Sequence, residues 1–173
     1  YKFFDADDRK KFIKDNFDEN VLKAYYKLNH GALKSDLFRY CYLYIHGGVY
    51  SDIDQVCIKS LDTFIKPDDD FITGLRSSSK HGPIEYIPNQ SMILTSKNNP
   101  ILKNVIENGV QRVLKNKPIP GKFAGKGAGF LGPPALLRSW RKIHRSINPK
   151  YYKLRPGEYL SLIHISEPTR LHG

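Results

Sequence analysis

Apolar positions along the chain follow two patterns, the 3.6-residue period of helices and short apolar runs of strand length. Asp7-Asp8 reads as a helix start, with Phe12, Ile13 and Phe17 periodic behind it. A second helical stretch covers about Glu19 to Leu28. A third, Ala32 to His46, is apolar on most faces through Leu33, Leu37, Phe38, Tyr40, Cys41, Leu43, Tyr44 and Ile45. A helix of that kind is buried, and Gly47-Gly48 is a good stop for it. Strands are expected at Tyr1 to Asp5, Val49 to Ile53, Phe71 to Leu75 and Met92 to Leu94, with Val56 to Ile58 extending or following the second. Asp68-Asp69-Asp70 reads as a turn, and Gly74 to Pro88 as a surface excursion. Pro100 to Leu114 is an amphipathic helix, Lys115 to Gly132 is glycine-rich without an element, and Pro133-Pro134 opens a last helix to about Ile143. Tyr151 to Arg155 closes as a strand. Strands alternating with helices predict an α/β fold with a mostly parallel sheet.

Length and charge narrow this picture. A chain of 173 residues suits one domain with a real core, and no apolar stretch reaches the roughly 18 residues of a membrane span. Two cysteines, Cys41 and Cys57, are too few for a disulfide scaffold and are expected as buried thiols. The net charge of +11 points first to a polyanion. Its distribution complicates that reading: residues 1–70 hold 11 basic and 13 acidic side chains, residues 71–173 hold 17 and 4. The basic half suits a phosphate, an acidic substrate or a membrane surface, or is a solvated exterior.

The most informative stretch is Gly47-Gly48-Val49-Tyr50-Ser51-Asp52-Ile53-Asp54. On a strand, Asp52 and Asp54 share one face, roughly 7 Å apart by strand rise. Two like charges at that distance repel by about 2–3 kcal/mol at an effective dielectric near 20, and a divalent cation would relieve the cost. Oxygen-only ligands suit Mg²⁺ or Mn²⁺ with open positions for a phosphate, and a strand end in an α/β sheet is where ligands bind. Asp-x-Asp alone also occurs in surface loops by chance.

Asp36 and Arg39, spaced i, i+3, share one face of a helix otherwise crowded with apolar groups. Charges there are costly unless paired or bound to a ligand. An internal salt bridge between them is the structural reading; holding a ribose or phosphate beside Asp52 is the functional one.

Ser35-Asp36-Leu37-Phe38-Arg39-Tyr40, a spacer, and then Gly47 to Asp54 resemble the DXD sugar-transferase region of glycosyltransferase family 32, which has a similar segment in glucosylating bacterial toxins. Weaker similarity covers Tyr1 to Phe17, Ile87 to Met92 and Gly129 to Pro133. The resemblance implies a GT-A type, Rossmann-like domain that binds a nucleotide sugar and a divalent metal, Mn²⁺ or Mg²⁺. It implies retaining transfer of a hexose from a UDP- or GDP-sugar to a glycan, lipid-linked or protein acceptor. By position, Asp54 would ligate the metal, and Asp52 would contact ribose and the metal's water shell. Asp36 and Arg39 would hold ribose and sugar, Tyr50 would support sugar or phosphate, and Asn89 would lie near the donor sugar. Asp52, Asp54 and Arg39 are thus the catalytic candidates. Asn89 also reads as a turn residue.

Segments that usually grip the base and the diphosphate in that family have no counterpart, so the domain is expected at residues 1–160, incomplete at both ends and weakly active or inactive. Residues 161–173 resemble translated adapter read-through, a non-native tail; were they native, His164 and His172 would enter the site. Compartment stays open: cytoplasmic or membrane-associated for a bacterial or viral protein, the Golgi lumen for a eukaryotic one. Gly127 to Gly132 matches G-x-G-x-x-G but lacks the preceding apolar strand. Arg138, Arg141, Lys142 and Arg145 near Trp140, with Lys150, Lys153 and Arg155, suit RNA, anionic lipid or a charged acceptor, or form a solvated face. The rival reading is therefore a basic nucleic-acid- or anionic-membrane-binding module without catalysis. With the family resemblance in place nucleic acid is disfavoured, and peripheral contact with an anionic membrane stays open.

Overall fold

Helix signals early in the chain act where the sequence puts them. In the computed structural model, which describes residues 2–57, 59–63, 65–67, 69–77, 86–115 and 128–146, Asp5 caps α1 (Ala6–Asn16). Its carboxylate accepts from the Asp7 and Asp8 backbone N–H groups at 2.9 and 2.8 Å, and the Asp8 carboxylate accepts from Asp5 N. This is a capping box, and it starts the helix slightly before Asp7. Asp18 caps α2 (Glu19–Lys27) through its side chain alone, accepting from Asn20 N and Val21 N at 2.9 and 3.1 Å. Residues 2–5 are not a strand. Phe4 instead packs its ring against Phe38 and Tyr42, with centroids 5.0 and 4.8 Å away, so the opening aromatic run anchors a coil to the helices.

The apolar helix α3 (Gly31–His46) is buried as expected, through Leu33, Leu37, Phe38, Tyr40, Cys41 and Leu43. Gly47 ends it at φ +65°, where a side chain is strained. A Cβ there would fall 2.8 Å from Lys97 N and 2.9 Å from Thr95 O, both backbone atoms. Glycine alone lets this helix end lie against the segment after β3. Asn98 completes the contact, its N–H donating to Tyr44 O at 2.7 Å.

The strands are β1 (Gly48–Ser51), β2 (Phe71–Ser77) and β3 (Tyr86–Thr95), in the order β1-β3-β2. A 3-10 turn, Leu61–Thr63, lies between the first two. Both pairings are antiparallel, which corrects the mostly parallel sheet expected from the alternation of elements. Parallel neighbours need a crossover of a dozen or more residues, usually a helix. Here the described helices stand before β1 and after β3, and β2 and β3 are joined by residues 78–85 alone. β1 also stops at Ser51, so Ile53 and Asp54 lie in a turn and not on a strand.

β3 carries an irregularity that the site uses. Thr73 pairs with Ile93 and Gly74 with Asn89, so residues 90–92 bulge away from β2. The Thr73 hydroxyl donates to the Asn89 carbonyl at 2.8 Å and lies 3.2 Å from that of Met92. Pro88 is tolerated because β1 pairs β3 only along residues 92–95, leaving the side of β3 away from β2 without a described strand at that point.

Asn99 caps α4 (Pro100–Leu114), with proline in the first turn. α5 (Ala128–Leu131) forms in a stretch where the sequence predicts no element, and α6 (Pro133–Ser146) follows. The core gathers where α3, α4, α6 and the sheet meet, around Leu37, Tyr40, Ile93, Ile101, Leu102 and Leu136. Cys41 is buried and its thiol is pushed up by burial, but Cys57 is exposed, against the expectation of two buried thiols. The final strand at 151–155, the tail 161–173, His81, Lys150 and most of the glycine-rich stretch lie outside the described residues. No described helix is long and apolar enough to cross a membrane.

Candidate active site

Asp36 and Arg39 leave α3 one turn apart and end 3.1 Å from each other, Oδ1 to Nη2. Each residue is only 5% exposed. The structural reading of this pair is correct, but the pair is not closed on itself. Arg39 Nη1 donates to Gln90 O at 2.7 Å and lies 3.2 Å from Asp52 Oδ1. Its Nε points at Ser35 O at 3.4 Å, and its guanidinium carbon stands 4.6 Å from the centroid of the Tyr50 ring. One arginine thereby joins α3, the β3 bulge and the segment after β1.

Gln90 is the member that sequence reasoning missed. Its Nε2 donates to Asp36 Oδ1 at 2.6 Å, and its Oε1 accepts from the Tyr40 hydroxyl at 2.5 Å. Tyr40 is fully buried, and its hydroxyl also lies 2.8 Å from Leu131 O, so one proton serves two acceptors. The neighbouring Asn89, chosen from the sequence, turns its Oδ1 to Ser91 N at 3.2 Å and supports the bulge locally. The bulge decides which of two adjacent amides reaches the cluster. A strand pattern alone carries no signal for it, although both residues stand in the segment that resembles the family.

Tyr50 donates to Asp52 Oδ1 at 2.6 Å, and Asp52 N donates to Ser91 O at 2.8 Å, tying the end of β1 to the bulge. Asp52 has a one-third exposed side chain. Asp54 is exposed, in the turn that the Gln55 N–H closes on Asp52 O. The structure thus brings Asp36, Arg39, Tyr50 and Asp52 into direct contact, leaves Asp54 exposed in the turn that follows Asp52, and keeps Asn89 one residue away.

Burial raises the Asp36 carboxyl above the usual carboxylate range, against the pull of Arg39 and the Gln90 hydrogen bond, and with a further push from Asp52. Burial likewise raises the Tyr50 phenol, with Arg39 opposing and Asp52 adding to it. The Tyr40 phenol is raised by burial too. Both hydroxyls therefore stay protonated and act as donors at neutral pH.

Among the described residues no group of three or more His, Cys, Asp or Glu side chains gathers in metal-ligand fashion. The donor set still fits a hard cation. Mg²⁺ and Mn²⁺ sites on nucleotides use one or two carboxylates and take their other oxygens from phosphate and water. Among the described residues, the Asp52 carboxylate meets the Tyr50 hydroxyl and the Arg39 guanidinium through Oδ1, and Asp54 is open to solvent.

Comparison with known proteins agrees with the motif. Residues 2–72 match the family model described as the glycosyltransferase sugar-binding region containing DXD motif. An uncharacterized glycosyltransferase of Acanthamoeba polyphaga mimivirus is 44% identical over 64 residues, 37% of this chain and 26% of the viral protein. The initiation-specific alpha-1,6-mannosyltransferase of Candida albicans is 37% identical over 79 residues, 46% of this chain and 15% of the fungal protein. The matched regions are therefore a minor part of either relative. A solved structure, PaToxG Glycosyltransferase, superposes with a TM-score of 0.56 at 20% identity, covering 81% of this chain and 46% of that one. At that identity the likeness is one of fold.

Proposed function

We propose that this chain, which resembles DXD-containing glycosyltransferases through residues 2–72, carries the donor site of a metal-dependent, retaining hexosyltransferase. The donor is a nucleotide-diphosphate hexose, UDP- or GDP-linked, and the acceptor a glycan, a lipid-linked sugar or a protein. The observation that carries the reading is the clamp of Arg39 by Asp36, Gln90 and Asp52, with exposed Asp54 beside it. A cation-carboxylate cluster with every partner assigned would be purely structural. This one ends in a carboxylate that is one-third exposed and another in solvent, which leaves oxygens that a bound cation or hydroxyl can reach.

Each residue has a task that follows from its surroundings. Asp36 is too buried to contact a whole ligand; it holds the Arg39 guanidinium so that its orientation is set before anything binds. Arg39 and Tyr50 fix Asp52 through Oδ1, which leaves Oδ2 for a ribose hydroxyl or a metal-bound water. Asp54 and Asp52 would hold the Mn²⁺ or Mg²⁺. When bound, that ion supplies charge neutralisation for a departing diphosphate. Asn89 is near enough in sequence to touch the donor sugar, but its hydrogen bond to Ser91 N assigns it first to the bulge.

Donor binding and hydrolysis are read together, since the chain matches only part of its relatives. A panel of UDP- and GDP-hexoses is titrated with and without Mn²⁺. The expected result is metal-dependent binding of at least one donor, lost in Asp54→Ala. Binding that ignores the metal and the substitution would overturn the reading. RNA binding with a steep salt slope and no metal requirement would favour the basic module instead.

A further inference from the structure

The basic residues of α6 are not absorbed by the donor site. They meet α4 across a groove of about 140 Å³, lined from α4 by Asn104, Asn108 and Arg112 and from α6 by Arg138, Ser139 and Lys142. Helical spacing explains the convergence: positions 104, 108 and 112 lie one turn apart on one face of α4, and 138 and 142 do the same on α6. Three of the nine lining residues are cationic and none is acidic. The remainder of the lining is partly apolar, including half-buried Phe130.

We propose that the groove between α4 and α6 binds the phosphate group of a small phosphorylated ligand. Two guanidinium groups and an ammonium face a space far below the about 300–1,000 Å³ of a site that encloses a whole drug-sized molecule. What fits is a head group. Arginine forks match the geometry of phosphate oxygens and bind them in pairs, and a doubly charged phosphate answers three cations better than a single carboxylate does. Asn108 Nδ2 donates to the backbone and side-chain oxygens of Asn104, both at 2.8 Å, so this amide is held along α4. Burial lowers the affinity of Arg138 for its proton, and the charge of Arg112 lowers it further, so the two guanidinium groups are close enough to feel each other. The inference does not depend on the donor-site reading.

The test uses the full chain in a chelator, so that a metal-dependent site is silent. Inorganic phosphate, a hexose phosphate, and vesicles of phosphatidylcholine with or without phosphatidic acid are the probes, read by calorimetry and by flotation. The expected result is saturable one-to-one binding of at least one phosphate source, weakened tenfold or more in Arg112→Gln/Arg138→Gln and severalfold in the exposed Lys142→Gln. The soluble probes against the vesicles tell a free phosphoester from a lipid head group. Asp54→Ala should bind as the parent does. If no probe saturates, if the Arg112 and Arg138 substitutions leave affinity unchanged in a folded chain, or if Asp54→Ala abolishes binding, the proposal is wrong. Circular dichroism on each variant, and Lys142→Gln as the mildest change, keep a folding defect from passing as lost affinity.

Discussion

The two halves of the candidate site are built on opposite principles. Asp36, Arg39, Tyr40 and Gln90 form a buried half in which each side chain has a protein partner. Asp52 and Asp54 form an exposed half that lies in and beside a turn. The first is expensive to build, since buried charges and amides must all be satisfied, and it gives a fixed geometry. The second costs little and gives free ligand positions. The proposed task, holding a metal and a diphosphate, would need both, a rigid reference and an unfinished edge.

That contrast is open to attack in steps of decreasing size. Arg39→Ala strikes hardest, because it strands the Asp36 carboxylate in the interior; unfolding in urea should show a loss of about 3–5 kcal/mol at neutral pH. The loss should shrink in acid, where Asp36 takes up a proton. Gly47→Ala comes next. It attacks the junction from which the exposed half departs, placing a Cβ against the Lys97 and Thr95 backbone at a positive φ, and about 2–4 kcal/mol should go. Gln90→Ala takes a hydrogen-bond donor from buried Asp36 and leaves the Tyr40 hydroxyl to Leu131 O alone, with an expected cost of about 1–3 kcal/mol. Asn89→Ala should cost less by the same measurement, which separates the amide in the cluster from its neighbour.

A smaller effect appears as a pH slope. Folding raises the Asp36 pKa, so the native state keeps this proton to a higher pH than the unfolded chain does. The Asp36 contribution is thus fully favourable below the ordinary carboxylate value of about 3.9 and is lost as pH rises through the folded value. Urea midpoints of Asp36→Asn should lack that decline, and an identical slope in both proteins would show that Asp36 is not the group responsible. Asp54→Ala closes the series. Its unfolding midpoint should not move, because the side chain is exposed, while Mn²⁺-dependent donor binding falls away. A midpoint that dropped as far as that of Gln90→Ala would erase the distinction between the halves.

How much of this was legible beforehand differs from residue to residue. The buried α3, its stop at Gly47-Gly48, and the pairing of Asp36 with Arg39 all follow from patterns within a few turns of chain. So does the clustering of the DXD segment with that pair, once the family resemblance is admitted. The sheet was misread because alternation of elements says nothing about whether a helix lies between paired strands. A period of two puts Asp54 on a strand only if it runs three residues past Ser51, where β1 ends. Gln90 was passed over for Asn89 because a bulge shifts facing by one position, and a bulge is set by the partner strand.

By itself, then, the amino-acid order determined the local matters: caps at Asp5, Asp18 and Asn99, the left-handed break at Gly47, the apolar stripe of α4, and two carboxylates near two glycines. These depend on neighbours three or four residues away, whose interactions any helix or turn makes. Tertiary structure alone decided which strands pair and in which direction, which amide of the 89–90 pair faces Asp36, and that bases on α4 and α6 share a groove. Those outcomes depend on contacts between residues on different elements, such as Tyr40 with Gln90 and Leu131, 50 and 91 positions away. No local period encodes them, because the free energy that selects them is released only when the separate elements are packed together.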